Sequence, residues 1–142
     1  MRQQPEIVIP SSVDMPKAHP IAASNGVQIY TLPTPDFEVV RFSFVFRAGT
    51  SVQHKPFAAS AAANMLGEGS NRLTAQQIAE QLDFYGSYFD VNIDRDYVYI
   101  SFCSLRKFFM PTLEVAREII LNPAFPEHEF DVYCSKRKQN LA

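Results

Sequence analysis

Side chains able to bind a metal or attack a carbonyl are few in this chain. It has three histidines, His19, His54 and His128. A helical zinc pair needs two histidines four residues apart, so that both rings reach one ion. Four residues after His54 stands Ala58, and four after His128 stands Val132. His19 lies in a proline-rich stretch, and all three histidines are expected to face solvent. A nucleophilic serine needs a base and an oxyanion hole. No G-x-S-x-G elbow occurs; Gly67-Glu68-Gly69-Ser70 comes nearest, with the wrong spacing. Cys103 and Cys134 are too few for a disulfide scaffold and read as buried thiols. Lys136, Arg137 and Lys138 beside Cys134 read as a solvated face. Gly67-x-Gly69 lacks the third glycine of a dinucleotide fingerprint and follows a helix pattern, not a strand. The 12 phenylalanines and 6 tyrosines are expected mainly in the core.

Composition narrows the field further. With 142 residues the chain is one domain or a piece of one. Hydrophobic residues make up 46% and charged residues 20%, which is ordinary globular usage. The net charge of −2 leaves no cationic surplus to neutralise phosphates, so nucleic acid is excluded as a default partner. No apolar run approaches the roughly 18 residues that span a bilayer. Met1-Arg2-Gln3-Gln4-Pro5 has no apolar core of a signal peptide. The expectation is a soluble protein without a membrane span.

The elements follow from periodicity and punctuation. Six of the ten prolines fall within the first 35 residues, and proline removes a donor and discourages helix. Residues 1–24 therefore read as an extended Pro-rich arm. Asn25-Gly26 is a turn signal, and Val27 to Leu32 a short strand. Val40, Phe42, Phe44 and Phe46 alternate with polar neighbours, predicting a strand over Val39–Ala48 with those four buried; Val45 suggests partial cover of the other face. Pro56 to Leu66 is alanine-rich and helical, and glycines end it. Thr74-x-x-Gln77 matches a capping box, with Ile78, Leu82 and Tyr85 as the stripe of its helix. Phe89/Val91/Ile93 and Val98/Ile100/Phe102 predict a β-hairpin around Asp94-Arg95-Asp96. Pro111 suits the first turn of a helix, and Pro126 opens a last one with Glu127 and Glu129 at its positive end. That helix pattern still runs at Ala142, so the chain is expected to end inside a larger fold. The class is α+β, with an antiparallel sheet packed against helices in β-β-α-α-β-β-α-α order.

The order of these pieces resembles the N-terminal part of a domain of the insulinase/pitrilysin family of zinc metallopeptidases, a group that includes mitochondrial processing peptidase and the core proteins of the respiratory bc1 complex. Asn25-Gly26-Val27 is similar to the family's opening strand, and Arg47-Ala48-Gly49-Thr50 to the strand ending in G-[ST]. Asn64-Met65-Leu66-Gly67-Glu68-Gly69-Ser70 stands where active members read H-M-L-F-K-G-T. Thr74 to Glu80, Gly86 to Asp90, and Leu121 to Pro126 follow in order. The resemblance covers residues 25–142 and implies an incomplete metallopeptidase-like domain.

Against that pattern one departure is decisive. Active members carry H-x-x-E-H on the helix that here reads Ser60-Ala61-Ala62-Ala63-Asn64. The two zinc histidines become Ser60 and Asn64, and the glutamate that activates water becomes Ala63. A third ligand should fall near Lys138–Leu141, where no carboxylate occurs. The resemblance therefore implies a non-catalytic homologue without catalytic or metal-binding residues of its own. Zinc is expected only in an active H-x-x-E-H partner. The two would form a hetero-oligomer and enclose a chamber for an extended peptide substrate, which a sheet edge can hold by strand addition. Two alternatives stand beside this reading. One is a structural or assembly subunit like the bc1 core proteins. The other is an active zinc peptidase with atypical ligands such as His54 or His128.

Overall fold

The computed structural model describes Ser12 and residues 15–139. The chain divides into two units, 1–37 and 38–142. In the first, strands β1 (His19–Ala22) and β2 (Gln28–Thr31) pair antiparallel, with His19 opposite Thr31 and Ala22 opposite Gln28. Their turn closes through the Ala23 carbonyl, which accepts from Gly26 N–H, and through Ala23 N–H, which donates to Val27 O. Gly26 sits at φ +84°, which glycine adopts freely. The strand at 19–22 is a correction to the arm expected over 1–24, most of which lies outside the described residues. Pro20 hid it, since proline speaks against strands except at sheet edges, and β1 is one strand of a two-stranded ribbon.

The second unit is built on three antiparallel strands, β3 (Val39–Phe46), β4 (Tyr88–Ile93) and β5 (Val98–Leu105), in the spatial order β3-β5-β4. Register places Phe42, Phe102 and Phe89 directly opposite one another. Their rings stack across the sheet at centroid distances of 5.3 and 5.4 Å. Period two drives this, because alternate side chains share a face.

Helices α2 (Ala75–Phe84) and α3 (Phe109–Leu121) help close that face, burying Ile78, Leu82, Val115, Ala116 and Ile119 with Val98, Ile100 and Phe102. The capping box forms as the sequence predicts: Thr74 Oγ1 accepts from Gln77 N–H, and Gln77 Oε1 accepts from Thr74 N–H. One 3₁₀ turn, Arg106–Phe108, precedes α3, so Pro111 falls inside its first turn. The α+β class and the antiparallel sheet against helices stand as expected, with β1 added at the front.

Two faces differ from expectation. Val45 is 54% exposed and Phe46 40% exposed, because β3 is an edge strand and its end lies past the helices' cover. Aromatics are not confined to the core either: Phe57, Phe84, Phe125 and Phe130 are all exposed.

Inside the core three hydroxyls meet. Ser87, Ser104 and Thr112 are all buried, and their oxygens lie 2.8–3.0 Å apart in a closed triangle. Mutual hydrogen bonding removes the cost of burying them.

Two glycines are required by close approach. A Cβ on Gly49 would lie 2.5 Å from the Arg95 backbone. That contact lets Gly49, Thr50 and Ser51 donate their N–H groups to carbonyls of the hairpin tip, Asp96, Asp94 and Arg95. A Cβ on Gly67 would lie 2.8 Å from the Phe89 ring, which brings the end of the alanine-rich helix down on β4.

Candidate functional site

The helix carrying the degenerate motif, α1, spans Ala58–Met65. Alanines make it helical by propensity. Its first turn is served from outside: Gln53 Oε1 accepts from Ala59 N–H at 3.3 Å. Phe57, immediately before it, holds φ +66°, a left-handed conformation costly for a residue with a Cβ.

Ser60 and Ala63 are buried, at 9% and 4% exposed, and Ala63 belongs to the apolar core. Asn64 is exposed. The Ser60 hydroxyl donates to Phe57 O at 3.0 Å, and Asn64 Nδ2 donates to Ser60 O at 2.7 Å. Both polar groups thus bond back to their own helix. Of Ser60 and Asn64, which stand where the two zinc histidines would, only Asn64 reaches solvent. Ala58 and Ala62 are also exposed, while Met65 is buried at 2%. An alanine-rich helix has no stripe of large apolar residues from which its inner face could be read.

Helix α4 (Glu127–Gln139) is brought to α1 by the segment that follows α1. Gly69 and Ser70 make bridges to Thr74 and Pro123. Asn71 N–H donates to Asn122 O, and Ala124 N–H donates to Gly69 O. Glu118, 9% exposed, fixes this junction: its carboxylate accepts from Ser70 Oγ at 3.0 Å and Asn122 Nδ2 at 2.9 Å. Ser70 Oγ in turn accepts from Arg72 and Leu73 N–H. Sequence reasoning missed Glu118, whose only signal was an acid four residues before the helix-ending asparagine. The start of α4 is therefore held near the end of α1, and the two helices run back past each other.

Between them lies an open groove of about 560 Å³. Ala58, Ala61 and Ala62 line its α1 side, and Phe130, Tyr133 and Arg137 its α4 side. Phe125, at φ +47°, closes one end. Arg137 reaches across the other, its guanidinium carbon 4.9 Å from the Phe57 ring centroid, a cation–π geometry. Arg137 is half-buried, a correction to the solvated face expected for Lys136–Lys138. Tyr133 Oη and Arg137 Nε are buried atoms with no hydrogen-bond partner among the described residues.

The remaining predicted chemistry lies elsewhere. All three histidines are exposed, and His54 borders a shallower hollow of about 420 Å³ beside Gly49. Both cysteines are free and half-buried rather than buried. Cys134 lines the groove, and Cys103 lies opposite Tyr88 on the outer face of the sheet. Tyr88's phenol is held above its usual range, chiefly by its hydrogen bond with the Cys103 thiol. Among the described residues no three His, Cys, Asp or Glu side chains gather as a metal site requires. Gln139 ends α4, and Asn140 and Leu141, expected near the third-ligand position, lie outside the described residues. No helix among the described residues is long and apolar enough to cross a membrane.

No protein-family profile matches the sequence, and no curated protein matches it. Solved structures do. A peptidase M16 inactive domain from Pseudomonas fluorescens superposes with a TM-score of 0.76 at 22% identity, covering 86% of this chain and 30% of its own. A protease from Helicobacter pylori gives a TM-score of 0.76 at 16% identity, covering 89% of this chain and 32% of its own. The fold is thus that of part of an M16 peptidase domain, the insulinase-like architecture that the motifs resemble. The chain spans about a third of the length of the structures it matches.

Proposed function

We propose that this chain is the non-catalytic half of an insulinase-like peptidase assembly, binding an extended peptide beside an active H-x-x-E-H subunit. One observation carries the reading: α1 offers only a hydroxyl and an amide where zinc ligands would stand, and each donates a hydrogen to a carbonyl of its own segment. A serine and an asparagine bonded in this way are poor zinc donors at neutral pH, and Ala63 has no group to take a proton from water. The solved neighbour described as an inactive domain supports the same direction.

Peptide binding rests on β4. It is an outer strand of the sheet and lies under α1. Asp94 N–H turns to Tyr97 O. Backbone alternation then turns the N–H and C=O groups of Phe89, Val91 and Ile93 away from β5, where an added strand would pair with them.

The test mixes full-length protein with its nearest H-x-x-E-H homologue and follows zinc content and peptide hydrolysis. We expect no stoichiometric zinc in this protein alone, and homologue activity that rises on mixing. Stoichiometric zinc with hydrolysis by this protein alone, both lost on mutating His54 or His128, would overturn the reading.

A further inference from the structure

We infer that the peptide added at β4 carries a lysine or arginine opposite Asp90, set between aliphatic residues. The inference rests on the reading of β4 as a strand-adding edge, and it names the class of peptide that edge selects.

Register fixes which side chains a guest strand meets. Asp94 N–H bonds Tyr97 O at the hairpin tip, and the bonds of an antiparallel ladder fall on alternate residues. Asn92, Asp90 and Tyr88, at alternate positions back from Asp94, therefore turn their backbone groups to Tyr99, Ser101 and Cys103 of β5. Phe89, Val91 and Ile93 keep theirs for the guest. In an antiparallel guest the residue opposite Asp90 thus falls in a non-hydrogen-bonded pair, where side chains approach most closely.

The two faces of β4 differ in what they ask of that guest. Phe89, Val91 and Ile93 are half-buried against the core, so aliphatic side chains opposite them extend an apolar face. Tyr88, Asp90 and Asn92 lie exposed on the other face. Asp90 is the only charged residue of β4. Its Oδ2 accepts from Asn92 Nδ2 at 2.6 Å, and among the described residues no lysine or arginine pairs with it. The acids of the hairpin tip are already engaged: Asp94 accepts from the N–H groups of Asp96 and Tyr97, and Asp96 from Ser51 Oγ. Arg41 shares the outer face but stands on β3, beyond β5. A cationic side chain opposite Asp90 supplies the missing partner, and opposite charges in that position stabilise strand pairing. Edge strands are commonly guarded by lysine or proline. β4 has neither, and its one charge selects a strand of opposite sign.

The experiment titrates full-length protein with acetyl-Thr-Val-Lys-Val-Thr-amide, and with the same peptide carrying Gln or Glu at its centre, followed by calorimetry. The sequence reads alike in both directions, so the central side chain keeps the same flanks whichever way the strand runs. We expect the Lys peptide to bind about fivefold tighter than the Gln peptide, and the Glu peptide to bind weakest. The differences should shrink as salt rises. Asp90→Asn should level the Lys and Gln peptides, and Asp90→Lys should reverse the order of Lys and Glu. Because Asp90 is exposed, both variants should melt close to the parent protein. Equal binding of the Lys and Gln peptides would overturn this inference and leave strand addition standing. A lysine preference that survives Asp90→Asn would do the same. Binding of none of the three peptides would overturn strand addition at β4 and this inference with it.

Discussion

Two helix-lined regions of the second unit show what decides whether apolar side chains close on one another. Over the sheet, α3 presents Thr112, Ala116 and Ile119, each 0% exposed, against a β5 whose Phe102 is 1% exposed. Between α1 and α4 a run of alanines meets a far more polar helix, and α4 buries none of its side chains fully. A pleated sheet supplies a continuous surface, so small residues on a helix let its backbone settle onto it. Alanines opposite another helix have no such surface, and their missing volume stays as an opening beneath Phe130 and Tyr133. The first region follows the rule of dense interiors, whereas the second keeps an apolar opening and two left-handed phenylalanines, features that gather at binding sites.

The contrast can be broken by substitution. Phe102→Ala removes the centre of the three-ring stack and should cost about 3–5 kcal/mol, measured by urea unfolding. A cost near that of a surface change would show that the sheet face is not closed. Thr112→Val keeps the shape but breaks the hydroxyl triangle, leaving Ser87 and Ser104 one partner short. A loss of about 1–3 kcal/mol is expected. Phe130→Ala in the groove should cost about 1 kcal/mol or less, since the ring is 45% exposed. A loss matching that of Phe102 would mean that the groove is core.

The smallest effect concerns the hairpin tip. N–H groups of Tyr97 and Asp96 bond the Asp94 carboxylate and hold its pKa below the ordinary 3.8. Because the folded value is the lower one, this contribution is present above pH 3.8 and fades as pH falls through the depressed value. Protection of the Asp96 and Tyr97 amides, relative to their intrinsic exchange rate, should fall only in that acid range, and Asp94→Ala should remove it at neutral pH.

Where side-chain period and backbone period coincide, the sequence was readable. Phe42, Phe89 and Phe102 announced their strands by alternation, and Thr74 with Gln77 announced its helix start. The G-[ST] step at Gly49-Thr50 was legible as a motif, but its purpose, backbone packing onto the hairpin tip, needed coordinates. Helix α1 was legible as a helix and illegible as to facing, because alanine carries no orientation signal. The groove escaped for a related reason. Its walls come from segments some 70 residues apart, and Arg137 next to Lys136 and Lys138 resembles any solvated basic run. The i, i+4 pairs Phe130/Cys134 and Tyr133/Arg137 were the available clue.

The triangle of Ser87, Ser104 and Thr112 has a consequence for direction. Ser87 gives its hydrogen to Ser104, Ser104 can give its own to Thr112, and Thr112 can give its own back to Ser87, so the circle closes in one sense. A second arrangement breaks the circle by turning the Ser104 hydroxyl to the Leu105 carbonyl, 3.1 Å away. The centre of this fold, where β4, β5 and α3 converge, is therefore fixed in position, with only the Ser104 hydrogen left a choice between two acceptors.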